Sequence, residues 1–379
     1  MSAKGRKRRK KQAPGVVLLS VLLLVASGYG VIQGEVLLAD VLSGGTTSGS
    51  DLRIPYNQDA SLEASGSVHV LPGGIVRCDQ GELTLFTDQG DPLWKKQLNG
   101  REVLIDGTAR AFAVVEPAGG DVYVLDYEGT VQARTFGMGR IDRMAFNKDG
   151  MIVVYLAGNH EVVLLDDGLM ELKRIPLPEG NVLDMAVSKS KSLLAISMFR
   201  MDNEKYHSQI LTWTLDGQLI GVINREASII LDMKVVDNEV IAIYDNGVAK
   251  YNSDNSELWW TEVDRKIYRG TIGSEGTTVL NVLKSDVDPS DQRPENALLY
   301  IDANGNVLRE QAMVKTINDV SYRGGLTGIY TDQRVSIIDE KGKMIRNEEL
   351  SATVSSMVWL EKGQLGILLP DELVIVPFQ

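Results

Sequence analysis

The chain repeats one pattern seven times between residues 83 and 350: an apolar strand, a turn rich in Asp, Asn and Gly, and a second apolar strand. A β-hairpin repeat of about 40 residues is typical of a propeller blade, because one hairpin cannot bury both of its faces alone. The repeat therefore predicts an all-β propeller. The acids of the seven turns are Asp88, Asp126, Asp166, Asp216, Asp254, Asp302 and Asp339.

A second apolar pattern precedes the hairpins and predicts the innermost strand of each blade. Clear copies begin at Ile141, Val182, Ile230, Ile317 and Val354, and weaker ones lie near Val68, Val103 and Ile267. The runs that follow them are apolar on both sides, as expected for strands between two neighbouring blades. The pattern thus gives eight inner strands but only seven complete outer hairpins.

The missing outer strand of the eighth unit must come from elsewhere in the chain. The short apolar run 52–56 precedes the first full blade, and pairing it with the last unit would close the ring and cover an open sheet edge. We therefore predict eight four-stranded blades over residues 51–379. Seven blades remain the alternative if the segment 68–78 is not a half-blade.

Two turns carry a family resemblance. Gly90 is followed four residues later by Trp94, and Asp254 is followed by Trp259 without such a glycine. This resembles the pyrroloquinoline-quinone-type (PQQ-like) propeller repeat, whose outer hairpin ends in Gly-x-x-x-Trp. The whole chain also resembles an uncharacterised bacterial family of membrane-anchored β-propellers, which implies no known activity. Quinoprotein dehydrogenases are longer and many carry an adjacent cysteine pair, so the single cysteine here argues against a quinone cofactor.

The N-terminus has the pattern of a membrane anchor. Residues 4–11 hold seven Lys or Arg, and residues 12–34 hold no charge. The apolar core 16–32, together with Pro14 and Gly15, is just long enough as a helix to cross about 28 Å of hydrocarbon. We expect a cytoplasmic tail at 1–13, a transmembrane helix at 14–34, a juxtamembrane segment and flexible linker at 35–50, and an exported propeller at the cell membrane. A cleaved secretory signal is the alternative, and it also exports the propeller.

Charge and cysteine content limit the partners. Outside the seven N-terminal basic residues, 32 Lys and Arg face 51 Asp and Glu, a net charge of −19. A domain this acidic repels nucleic acid, so no nucleic-acid partner is expected. Cys78 is the only cysteine, and therefore the propeller has no disulfide to stabilise it.

The chain shows no motif of a catalytic or metal site. His69, His160 and His207 fall in different blades without ligand spacing, and neither a nucleophile elbow nor a phosphate-binding glycine loop occurs. We predict no cofactor, no metal and no enzymatic activity. A carboxylate-based enzyme remains an alternative because acids are plentiful.

Two groups of residues are candidates for binding. The first group recurs in the inner strands and would line the channel mouth, either to bind a cation or basic peptide or to bridge blades: Asp142, Asp184, Asp232 and Asp319. The second group lies in two insertions, 198–208 and 284–296, which should lie on one face as binding or surface loops: Tyr206, His207, Asp286, Asp288 and Asp291.

The sequence thus favours a non-enzymatic scaffold or recognition module at the cell envelope, with another envelope protein or a surface polymer as its partner. The alternative is a sensor that binds a ligand or cation in the propeller channel.

Overall fold

The computed structural model describes residues 52–55 and 67–378, apart from 88–89, 148, 189–192, 203–204, 285–293, 361–362 and 371. These residues form eight four-stranded antiparallel sheets. They contain no helix that is long and apolar enough to cross a membrane. The predicted tail, transmembrane helix and linker at 1–50 lie outside the described residues.

The first four blades follow the chain without a crossover. Their strands, from the innermost to the outermost, are β2 (Ser67–Leu71), β3 (Gly74–Asp79), β4 (Glu82–Phe86) and β5 (Pro92–Gln97); β6 (Leu104–Gly107), β7 (Ala111–Glu116), β8 (Asp121–Asp126) and β9 (Val131–Thr135); β10 (Ile141–Phe146), β11 (Ile152–Leu156), β12 (Glu161–Leu165) and β13 (Glu171–Pro176); β14 (Asn181–Val187), β15 (Leu194–Asp202), β16 (Lys205–Trp213) and β17 (Leu219–Glu226).

Blades 5 to 7 repeat this order, and blade 8 borrows its outer strand from the start of the chain. The strands are β18 (Ile230–Val236), β19 (Glu239–Tyr244), β20 (Gly247–Tyr251) and β21 (Glu257–Glu262); β22 (Lys266–Ile272), β23 (Thr278–Leu283), β24 (Asn296–Ile301) and β25 (Val307–Ala312); β26 (Asp319–Arg323), β27 (Leu326–Thr331), β28 (Arg334–Ile338) and β29 (Met344–Glu349); β30 (Ser356–Leu360), β31 (Gln364–Leu368), β32 (Glu372–Pro377) and β1 (Leu52–Pro55).

The ring closes as the sequence predicts. β1 pairs antiparallel with β32, with Leu52 opposite Ile375 and Pro55 opposite Glu372. The first strands of neighbouring blades contact one another all the way round, including β30 with β2. Eight blades are confirmed. The seven-blade alternative is wrong because the segment 68–78 supplies two strands of a complete first blade.

The core lies between the blades. Every residue of β11 is buried, whereas five of the six residues of the outer strand β13 are exposed. This difference arises because a second strand has a strand on either side and a blade against each face, whereas an outer strand borders solvent. Val124, Val154 and Val163 belong to one apolar cluster that joins blades 2 and 3. Burial of such clusters provides the main stabilising free energy of the ring.

In each hairpin turn, a side-chain oxygen accepts hydrogen bonds from backbone N–H groups of the turn. The carboxylate of Asp302 accepts the backbone N–H groups of Asn304 and Asn306, both at 2.8 Å. The same role belongs to Asp126, Asp166 and Asp339. In the other three hairpins it belongs to Thr87, Thr214 and Asn252, one or two positions before the acids that the repeat suggested. The turn therefore requires a short acceptor side chain and not specifically an acid.

Antiparallel strand order gives the propeller two different faces. The turns between second and third strands lie on one face together with the links between blades, and we call it the insertion face. The opposite face carries the turns between first and second strands and between third and fourth strands. Since β1 runs antiparallel to β32, its Leu52 end lies on the opposite face.

Candidate functional site

The first predicted insertion is a projecting hairpin and not a loop. β15 and β16 stay paired over nine residue pairs, to Asp202 opposite Lys205, whereas β11 and β12 of the neighbouring blade pair over five. At about 3.3 Å per residue, four additional pairs extend the strands by about 13 Å on the insertion face. We call the segment 199–208 the blade-4 hairpin.

The two sides of the blade-4 hairpin differ in chemistry. Phe199, Met201 and Tyr206 share the side that carries Ser208, and the Ser208 hydroxyl accepts the N–H of Ile230, the first residue of blade 5. The rings of Phe199 and Tyr206 stack with centroids 6.4 Å apart, and the Met201 side chain is 72% exposed. The hairpin therefore presents an apolar ledge on the side that faces blade 5.

The other predicted residues of the insertions do not join this ledge. His207 lies on the reverse side of the hairpin, opposite Arg200 in β15 and Glu226 in β17. Tyr206 and His207 therefore cannot contact the same small surface. The second insertion is only partly described, and Asp286, Asp288 and Asp291 lie outside the described residues.

Three of the four inner-strand acids occupy equivalent positions. Asp184 and Asp232 each follow a bulge in the inner strand, as Arg143 and Arg269 do in their blades. Asp319 lies at the matching place, two residues after Ile317, as Asp184 follows Val182 and Asp232 follows Ile230. From blade 3 to blade 7 this inner-strand ring therefore consists of Arg143, Asp184, Asp232, Arg269 and Asp319.

Asp142 does not belong to the ring, which corrects the sequence-based grouping. It sits in the bulge itself, one position before the equivalent residue Arg143. Its carboxylate accepts a hydrogen bond from the Arg140 guanidinium at 2.7 Å in an exposed ion pair. An exposed pair of this kind contributes little to stability.

Burial dominates the electrostatics of the ring. The pKa of Asp232 is raised to about 6 by burial and, after that, by repulsion from the carboxylates of Asp184 and Asp319. Burial also raises the pKa of Asp184 and of Asp319. Asp184 accepts the N–H of Met185 at 2.8 Å, and Asp232 accepts the N–H of Met233 at 2.9 Å. Each of these bonds stays within one blade, and no metal-binding group of three or more His, Cys, Asp or Glu occurs among the described residues.

The sequence interpretation missed a carboxylate that bridges blades. Asp106, in the inner strand of blade 2, accepts the N–H of Phe146 in blade 3 at 2.7 Å and the N–H of Gly107 at 2.8 Å. Burial raises the pKa of Asp106 in spite of these donors. Its signal was weak because β6 has only four residues and the apolar pattern around it is short.

A family model described as a family of unknown function, DUF5711, matches residues 53–376, which is most of the chain. The chain belongs to DUF5711. None of the curated proteins matches this DUF5711 chain. The family match and the propeller geometry agree on the extent of the domain, because the matched residues begin in β1 and end in β32.

Several solved propellers resemble the DUF5711 chain in fold. BamB from Moraxella catarrhalis is 13% identical, with a TM-score of 0.58 over 87% of this chain and 98% of BamB. Sqt1 from Saccharomyces cerevisiae is 11% identical, with a TM-score of 0.60 over 86% of this chain and 99% of Sqt1. The dihydro-heme d1 dehydrogenase NirN is 14% identical, with a TM-score of 0.58 over 86% of this chain and 75% of NirN. Because a dehydrogenase shares the fold, the fold alone does not decide the function.

Proposed function

We propose that this DUF5711 protein is a membrane-anchored, extracytoplasmic propeller that binds another envelope protein through its insertion face and catalyses no reaction. The blade-4 hairpin is the observation that carries the proposal. It alone among the described hairpins extends a second and third strand to nine residue pairs. Its apolar ledge suits protein recognition, since Met, Tyr and Phe are enriched in the contacting parts of protein interfaces.

The exposure of the ledge supports the proposal that it binds a partner. The Met201 side chain is unbranched and largely exposed, and the stacked rings of Phe199 and Tyr206 give it a rigid base. Covering such a surface yields roughly 25 cal/mol per Å² of apolar area. A projection also lets a partner reach this surface without contacting the remaining acidic surface of the propeller.

The direction of β1 supports the choice of face. β1 begins with Leu52 on the opposite face, so the chain enters the propeller there and not at the insertion face. Chain entry therefore does not obstruct a partner on the insertion face.

The experiment compares variants on the two surfaces. Met201→Glu and Tyr206→Ser remove the ledge, whereas Leu308→Glu changes a side chain that is 60% exposed on the outer strand of blade 6. Each full-length variant is expressed at native level, crosslinked in its membrane and analysed for captured proteins. We expect the ledge variants to fold normally and to lose the main captured partner, while Leu308→Glu keeps it. Equal capture by all three variants would rule out the ledge as the binding surface.

Orientation is tested separately. Protease added to intact, wall-stripped cells should digest residues 51–379 and spare the basic tail at 1–13. Complete protection of the propeller would contradict the extracytoplasmic assignment and leave the binding experiment unaffected.

A further inference from the structure

Two adjoining clefts open on the insertion face between blades 2, 3 and 4. The larger has a volume of about 590 Å³ and the smaller about 300 Å³, and Glu102, Pro117 and Ala118 line both. We call the pair the blade-2 trough. It lies where two links between blades come together, and the larger cleft ends at Val182 in blade 4, the blade that carries the projecting hairpin.

One wall of the trough is the turn 117–120, whose lining side chains are small. The turn 117–120 and the link 136–140 are joined by hydrogen bonds from Met138 N–H to Gly120 O at 3.1 Å and from Ile141 N–H to Pro117 O at 3.0 Å. Gly120 has φ +70°, and a Cβ atom there would lie 2.1 Å from the carbonyl oxygen of Gly139. The close approach therefore requires glycine at position 120 and fixes the turn 117–120 against the link.

A buried acid fixes the other wall. Glu116 is only 5% exposed, and its carboxylate accepts the N–H of Asn99 at 3.3 Å and the N–H of Gly100. These bonds hold the link that carries Arg101. Because the carboxylate of Glu116 accepts these backbone hydrogen bonds, its role is to stabilise this wall of the trough.

Besides the pair of Arg140 with Asp142, two arginines and Glu102 are the exposed charges that line the trough. Arg140 is paired with Asp142 at 2.7 Å. Arg101 and Arg143 are exposed, and neither is in an ion pair with any described carboxylate within 4.0 Å, although Arg143 interacts electrostatically with Asp184. The two guanidinium groups exceed the single exposed carboxylate of Glu102 by one charge, which gives the trough a local positive balance in a strongly negative propeller and favours carboxylates.

We propose that the blade-2 trough binds an extended, acidic peptide segment of the partner, with Arg101 and Arg143 pairing with its carboxylates. The backbone of the segment lies along the turn 117–119, where the side chains of the propeller are small. Guanidinium groups bind carboxylates through paired, charge-assisted hydrogen bonds, and the geometry of these bonds orients the bound carboxylate. This inference deepens the proposed scaffold function and rests on its choice of the insertion face.

The test uses the full chain in detergent and a fluorescent Gly/Ser decapeptide that carries four Glu residues. Matched probes carry four Gln or four Lys, and a polyphosphate chain of equal charge serves as a non-peptide anion. We expect saturable binding of the Glu probe with a Kd below about 1 mM. The Arg101→Gln/Arg143→Gln double variant should weaken binding at least about tenfold. Arg110→Gln, which makes the same charge change at an exposed turn of blade 2 on the opposite face, should leave it unchanged.

Each other outcome overturns the inference. Equal binding of the Gln probe would mean that carboxylates are not recognised, and equal binding of polyphosphate would indicate a general site for anionic polymers. Failure of the Glu probe to bind, or equal binding by the double variant, would exclude the trough. None of these results bears on the ledge variants at Met201 and Tyr206, so the scaffold proposal stands or falls by its own experiment.

Discussion

The indole N–H of Trp94 donates to the backbone carbonyl of Tyr127 at 2.9 Å and ties the outer strand of blade 1 to the turn of blade 2. Gly129 in that turn has φ +86°, and a Cβ atom there would lie 2.9 Å from the Trp94 ring. Trp259 repeats the arrangement in blade 5, where its N–H donates to Ala303 O at 3.1 Å. A large side chain on one blade thus packs over a glycine turn of the next.

Removal of this contact should loosen the ring. Trp94 also stacks on Phe112, with centroids 6.3 Å apart. Trp94→Ala should lower the free energy of unfolding by about 3 kcal/mol, and Trp94→Phe by about 1 kcal/mol because it loses the hydrogen bond. Urea denaturation of the soluble propeller measures both. The exposed neighbour Leu93→Ala should stay within about 0.5 kcal/mol of the wild type; a similar loss for Leu93→Ala and Trp94→Ala would contradict the contact's role.

Deletion of residues 51–58 should expose the edge of β32 and open the ring at blade 8. We expect the free energy of unfolding to fall by about 2 kcal/mol or more, because a whole outer strand and its packing are lost. Thermal unfolding followed by circular dichroism provides the measurement. Deletion of residues 1–50 is the matched control and should leave the melting temperature unchanged. Equal melting temperatures for the two deletions would contradict closure by β1.

Asp232 should make the propeller less stable as the pH rises. Its folded-state pKa of about 6 lies above the ordinary value of 3.8, so its stabilising contribution is complete below pH 3.8 and is lost as the pH rises through 6. The loss is at most about 3 kcal/mol. Asp232→Asn should therefore gain stability relative to the wild type between pH 4 and pH 7. A stability difference that is constant over this range would contradict the raised pKa.

His69 should act in the opposite direction. Burial lowers its pKa from 6.5 to about 4. The neutral ring therefore favours the folded state above pH 6.5, and this contribution is lost as the pH falls through 4, with a total of up to about 3 kcal/mol. The free energy of unfolding of His69→Gln should therefore rise relative to that of the wild type as the pH falls from 7 to 4. Parallel pH profiles for the wild type and His69→Gln would show that His69 is not buried in its neutral form.

The sequence predicted the parts of this protein that depend on periodic burial. The inner strand at 141–146 has the bounds that the apolar pattern indicated, and the closing strand β1 lies where the unpaired edge required it. Both follow from local hydrophobic patterns and from the need to cover a sheet edge. The pairing of β1 with β32 is distant in the chain, but the regular repeat indicates where it must occur.

The site was harder to predict because its geometry depends on register. Asp142 was grouped with Asp184 because both lie near the start of an inner strand, but Asp142 follows Ile141 by one residue whereas Asp184 follows Val182 by two. The alternation of Phe199, Arg200 and Met201 was a sign of strand that an interpretation as a loop overlooked. The blade-2 trough had no sequence signal, because its two links meet only after the blades have packed.

The most direct test of the central claim, that partners bind on the insertion face, is site-specific photocrosslinking in native membranes. A photoreactive residue replaces Met201 on the blade-4 hairpin in one strain and Asn304 in a turn of the opposite face in another, and the captured products are identified by mass spectrometry. The account predicts a defined protein partner from position 201 and none from position 304. Capture of the same partner from position 304 alone would show that the opposite face is the interaction face.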